Sequence, residues 1–222
     1  KIQPEDAEWD AADYNYNVVR WSSEPDGNLL GIGPSVSNPL TGEIISADVV
    51  NKLLAIKLGY NYRKLYGYTE DNDPLMQYIT NLTLHEVGHV LGLRHNFRGS
   101  YLYSPSEIHD KTITGNTLMS SVMDYDPINI APEGTEQGIY FSTVPGVYDK
   151  WAIKFGYTPN LSDEERTELL RQSVKRELTF GTDDDAMSYP GNNIDPRTKR
   201  YDMSNDPISY AEDIVKIVDQ KI

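Results

Sequence analysis

The chain contains no cysteine. That absence excludes a disulfide framework, a thiolate zinc site, an iron–sulfur cluster and a cysteine nucleophile. No apolar run approaches the ~20 residues of a membrane span. Positive charge is also scarce: 20 Lys and Arg stand against 34 Asp and Glu, a formal charge of −14. Phosphate backbones are held by basic surfaces, so nucleic acid is not expected as a partner. Histidine is the last scarcity, at four residues. Any metal site must be assembled from carboxylates and those four imidazoles. Length is not short. A chain of 222 residues buries roughly 70% of its unfolded surface and needs no covalent staple.

The chain opens on Lys1 in a charged stretch, and Ile214–Ile222 still carries a helical pattern. The expectation is a domain cut from a longer protein, and the lack of a leader says nothing of compartment. Residues 1–13 read as a lead-in or loop. Tyr14–Trp21 is rich in aromatic and β-branched residues and reads as a strand. Pro25, Asp26 and Gly27 mark a turn. Leu29–Val36 reads as a short strand that Gly31, Gly33 and Pro34 restrict to a sheet edge. After a turn at Pro39–Gly42, Glu43–Val50 reads as a strand and Leu53–Leu58 as helical. Asp73 and Pro74 open the clearest helix, which Gly92 is placed to end. Arg94–Thr143 is loop by composition. Tyr148–Phe155 reads as a short helix. Ser162 and Glu165 form a capping box that starts a helix to about Leu178. Phe180–Asn205 is again loop, and Asp206-Pro207 begins the last helix. The expected fold class is α+β, a single domain over 1–222 with a small twisted mixed sheet. Its two lobes cover about 14–92 and 93–222, with the long helix at their junction.

The chemistry concentrates in His85-Glu86-Val87-Gly88-His89-Val90-Leu91-Gly92-Leu93-Arg94-His95. His85 and His89 are four apart, so a helix puts both imidazoles on one face within reach of a single ion. Glu86 is displaced round the axis, near enough to act on a water but not placed as a ligand. Gly92 allows a sharp turn, after which His95 can return as a third ligand. Three neutral ligands leave a fourth position open, the arrangement of a catalytic zinc. Three of the four histidines fall in these eleven residues.

HExxHxxGxxH resembles the signature of the metzincin zinc endopeptidases. Ser121-Val122-Met123-Asp124-Tyr125 is similar to their methionine turn, in the Ser-x-Met-x-Tyr form of astacins and serralysins. The resemblance implies that His85, His89 and His95 bind Zn2+, that Glu86 is the general base and that Met123 is the turn methionine. It makes Tyr125 a fifth ligand or an oxyanion donor. Gly33-Pro34-Ser35 and Pro39–Val49 resemble the strand region of metzincin catalytic domains, Tyr148–Ile153 resembles a helix of large bacterial zinc-dependent metzincins, and Phe180–Asp183 and Asp195–Arg197 resemble that bacterial group more loosely. The implied partner is a protein or peptide substrate, and the implied compartment is extracellular, periplasmic or cell-surface. Leu29–Ser35 is the candidate edge for that substrate, or else a solvent-facing loop. Two other functions stand beside this one: a non-proteolytic zinc-containing binding module, and a hydrolase such as a deacylase or mucinase. A thermolysin-like site is disfavoured because His95 already stands at third-ligand spacing. His109, outside the motif, reads as a loop residue. Asp183, Asp184 and Asp185 are candidate Ca2+ ligands but lack EF-hand spacing and read as a solvated acidic loop. Asp195 and Asp202 read likewise, and Asp206 as a helix cap.

Overall fold

The computed structural model describes residues 2–23, 29–186 and 195–221. The turn expected at Pro25–Gly27 lies outside them. The fold is α+β, with four strands in a mixed sheet and seven α-helices among the described residues. Strand β4 (Ile44–Lys52) is the centre of the sheet. Its residues Ala47, Val49, Val50 and Asn51 are buried, as a strand flanked on both sides requires. β1 (Val18–Ser22) pairs with it in parallel, Val18 opposite Asp48. β2 (Gly31–Ile32) and β3 (Ser35–Ser37) pair antiparallel along its other side. They are one edge interrupted at Gly33-Pro34, where proline cannot donate to a ladder.

Strand β1 starts four residues later than expected. The Asp13 carboxylate and carbonyl accept from Asn15 N–H and Tyr16 N–H, each at 3.0 Å, and turn the chain back. This side-chain competition overrides the β-propensity of the two tyrosines. Tyr16 instead stacks on Trp9, ring centroids 4.2 Å apart.

β4 runs directly into α1 (Leu53–Tyr66), longer than the helical stretch expected there. Helix α2 (Pro74–Val90) follows. Asp73 caps α2 by accepting from Leu75 N–H at 3.0 Å, and Pro74 fills the first turn, as its sequence dictates. The helices pack where Gly59 lets Leu75 approach closely. Asn51 of β4 donates to Thr83 of α2 at 3.0 Å, tying helix to sheet.

The opposite face of α2 is buried and polar. Gln77, Asn81 and His85 recur every four residues along it. Gln77 Oε1 accepts from Tyr140 N–H and Phe141 N–H at 2.7 and 3.1 Å. Asn81 donates to Ser142 O at 3.2 Å. These bonds stand in for a ladder that the long loop of residues 91–146 lacks, since buried backbone groups need partners. That loop contains only a 3-10 turn at Gly99–Leu102 and the short α3 (Lys111–Thr114). Its core is Ile108, Leu118, Met119 and Ile139, joined by Met203 and Tyr210 from the C-terminal region.

Helix α4 (Val147–Tyr157) lies where a short helix was expected. The Ser162–Glu165 capping box opens α5 (Asp163–Gln172) with bonds of 2.9 and 3.2 Å. It stops well short of Leu178: the Ser173 hydroxyl takes the Leu170 carbonyl, and a turn leads to a 3-10 segment at Arg176–Leu178. After the short α6 (Asp183–Ala186), α7 (Pro207–Lys221) closes the chain, capped by Asp206 as its sequence indicates. Among the described residues no helix is long and apolar enough to cross a membrane.

Candidate metal centre

His85 and His89 project from the last turns of α2 with ring centroids 4.8 Å apart. The helix then ends sharply. Gly92 adopts φ +85°, and Leu93 N–H bonds back to Gly88 O while Gly92 N–H bonds to His89 O, each at 2.9 Å. This left-handed termination favours glycine and reverses the chain. It returns His95 to the helix, where its Nε2 lies 3.2 Å from His89 Nε2. One nitrogen from each of His85, His89 and His95 lies within 4.8 Å of the others, and among the described residues these three alone form a group able to hold a metal.

The other ring nitrogens decide the tautomers. His85 Nδ1 lies 2.8 Å from Val122 O, His89 Nδ1 3.0 Å from Leu93 O and His95 Nδ1 2.8 Å from the Asp183 carboxylate. All three partners are acceptors without a hydrogen, so each Nδ1 is the donor, which in a neutral ring leaves the lone pair on Nε2. Burial and the neighbouring His89 and His95 push His85 down to about 3, and burial also lowers His89. Both are therefore neutral, as ligands must be. The His89 and His95 Nε2 atoms face each other at 3.2 Å. Zinc with bonds of ~2.0–2.1 Å in tetrahedral geometry spaces its nitrogens by roughly 3.3 Å. The donor set fits zinc.

Met123 sits directly beneath. It is fully buried, and its sulfur packs so closely on Gly88 that a methyl there has no room. The residue before it supplies the carbonyl that holds His85. The turn is itself clamped by the buried Asp149 on α4. Its carboxylate accepts from Ser121 Oγ at 2.6 Å, Val122 N–H at 2.9 Å and Gly146 N–H at 2.8 Å. Two residues after Met123, the Tyr125 hydroxyl lies 2.9 Å from His95 Nε2, and burial pushes its pKa up to about 12. The phenol therefore stays protonated and able to donate.

Glu86 is buried against the sheet edge. A β-carbon on Gly31 would lie 2.6 Å from Glu86 Oε1, and one on Gly33 would collide with the Glu86 carbonyl. Burial raises the Glu86 carboxyl to about 7. The glycines that mark Leu29–Ser35 as an edge in the sequence thus bring that edge onto the glutamate.

Other residues singled out in the sequence lie elsewhere. Asp183–Asp185 do not gather as a calcium site. Asp183 is bound to His95 and Arg200, Asp184 pairs with Arg94 at 3.1 Å, and Asp185 accepts from Thr182 N–H. Nor is the segment merely solvated. Asp195 pairs with Arg98 and Arg197, and Asp202 is largely buried, accepting from Ser100 Oγ at 3.1 Å. His109 is in a turn as expected but is buried, outside the three-histidine group. Sequence reasoning gives no role to Asp149, and it names Asp183 as a Ca2+ candidate and not as the partner of His95. Asp149 carries a signal, an acid three residues after Gly146 at a helix start. Asp183 carries none, being 88 residues from His95.

Two histidines from a glycine-ended helix and a third just beyond its end, above a buried methionine turn, define a zinc metalloprotease-type domain. Comparison with protein families agrees: residues 68–222 match the Met-zincin family, and the chain belongs to it. Neither the curated proteins nor the solved structures give a match.

Proposed function

We propose that this domain is a zinc-dependent endopeptidase. The observation that carries the reading is the convergence of three imidazole nitrogens beside a buried glutamate that does not join them. His85, His89 and His95 would hold the ion. When bound, zinc supplies Lewis acidity toward a carbonyl and acidifies water. Glu86 takes a proton from the attacking water and delivers it to the leaving amine, a transfer worth roughly 10²–10⁴ in rate. The Tyr125 hydroxyl donates to the oxygen on which charge develops. The substrate adds as a strand to the β2–β3 edge, whose outer side pairs with no strand among the described residues. We further propose that the chain works as one two-lobed catalytic domain, outside the cytoplasm as metzincins generally do.

The test is cleavage of denatured casein, gelatin and a proteome-derived peptide library by the zinc-loaded protein, with Glu86→Gln beside it. Wild-type cleavage that falls at least 10²-fold in the zinc-retaining variant supports the proposal. Zinc uptake without turnover on any of these assigns the domain to a zinc-containing binding module. Turnover that survives Glu86→Gln at the wild-type rate removes glutamate from the mechanism.

A further inference from the structure

His95 is the one histidine of the group that α2 does not carry, and distant chain holds it in place. The residues after it are bonded on both sides by the C-terminal region. Phe97 N–H donates to Gly181 O at 2.7 Å, and Lys199 N–H donates to Phe97 O at 3.2 Å. The Asn96 side chain donates to Thr179 O and accepts from Gly181 N–H, each at 3.1 Å. From this strap Asp183 reaches back to the imidazole. Its Oδ2 accepts from His95 Nδ1 at 2.8 Å, and its Oδ1 accepts from Arg200 Nη2 at 3.3 Å. Arg200 lies over the Phe97 ring, 5.0 Å from its centroid, and Phe97 stacks on His95 at 5.1 Å and 26°. The imidazole is gripped at one edge by a carboxylate and on one face by an aromatic ring.

We infer that Asp183 is a positioning residue for the third ligand, with Arg200 bracing it. The inference rests on the zinc-site reading above. A carboxylate on the far nitrogen of a metal-binding histidine fixes its tautomer, aims its lone pair and raises its basicity. His85 and His89 make the same bond to the neutral carbonyls of Val122 and Leu93. They are already aimed by their helix. His95 sits on irregular chain beyond the helix end, and it alone receives a charged acceptor. An ordinary surface ion pair at this spot would contribute little and would leave the metal unaffected.

The experiment measures zinc affinity of the full chain by competition with a chromophoric chelator, together with the visible spectrum of the Co2+-loaded protein. Asp183→Asn is expected to weaken zinc binding roughly 10–100-fold and to shift the Co2+ bands, with the melting temperature of the metal-free chain unchanged. Asp183→Glu is expected to recover most of the affinity. Arg200→Met, which leaves the His95 bond in place, is expected to give a smaller loss in the same direction. Asp184→Asn, on the exposed neighbour, is expected to bind as the wild type does. An Asp183→Asn protein with wild-type affinity and spectrum overturns the inference and leaves the zinc site standing, as does an equal loss in Asp184→Asn. Wild-type protein that takes up no zinc overturns the site reading and this inference with it.

Discussion

Of the two glycines of the motif, Gly88 is the one constrained by packing. Alanine there would gain about 1 kcal/mol of helix propensity, but its methyl has to displace the buried Met123 sulfur. Overpacking a filled core costs about 1–3 kcal/mol. Gly88→Ala is therefore expected to lower stability in urea unfolding, and to cost less when Met123→Ala has first cleared the space. Equal costs in the two backgrounds contradict the contact. At Tyr125, removal of the hydroxyl alone separates its role from packing. Tyr125→Phe is expected to keep zinc and the melting temperature while lowering kcat roughly tenfold or more. An unchanged kcat removes the phenol from the reaction. Asp202 gives a pH dependence. Burial raises its carboxyl to about 6, so the folded chain holds a proton that the unfolded chain releases near pH 4. Its contribution is fully present below about pH 4 and is lost as pH rises through about 6. The stability difference between wild type and Asp202→Asn should shift across that window in urea midpoints taken from pH 4 to 8, with the wild type losing ground as pH rises.

The helix that carries the site was legible in the sequence because its period and its caps are local. Spacing of four fixes His85 and His89 on one face, Asp73 and Pro74 fix the start, and Gly92 fixes the stop. The edge at Leu29–Ser35 was legible for the same reason, since glycine and proline restrict their own neighbourhood. Asp183, by contrast, is brought to His95 by pairing across the whole C-terminal region, and no local pattern encodes that. Strand β1 was placed too early because the Asp13 turn outcompetes the propensity of Tyr14 and Tyr16. The methionine turn stands between these cases: its text was readable, its clamp was not. Asp149 takes three hydrogen bonds from Ser121, Val122 and Gly146, and bonds to a buried carboxylate are among the stronger ones. Asp149→Ala is expected to cost about 3 kcal/mol or more and to weaken zinc binding through Val122 and His85. Urea unfolding with a zinc titration reads both, and a variant as stable as the wild type contradicts the clamp. On the opposite side, Gly33→Ala is expected to push the edge strand off the Glu86 carbonyl, raising KM for peptides more than it changes zinc affinity.

Across the whole molecule, the site is a meeting point of regions far apart in sequence. Helix α2 brings two histidines and the glutamate, the glycine-bearing edge covers that glutamate, the methionine turn supports the helix from below, and the C-terminal strap fixes the third histidine. An ion shared by His85, His89 and His95 would tie the helix to the strapped loop. Metal should accordingly stabilise the fold as well as activate it, by about 4 kcal/mol when free zinc is 1,000-fold above Kd. Chelation is then expected to lower the melting temperature and abolish cleavage together, with zinc restoring both. The most direct test is X-ray absorption at the zinc edge on the loaded protein. The account predicts three imidazole nitrogens at ~2.0–2.1 Å with oxygen completing the shell, falling to two imidazoles in His95→Ala. Fewer than three imidazoles in the wild type, or three remaining after His95 is removed, would contradict it.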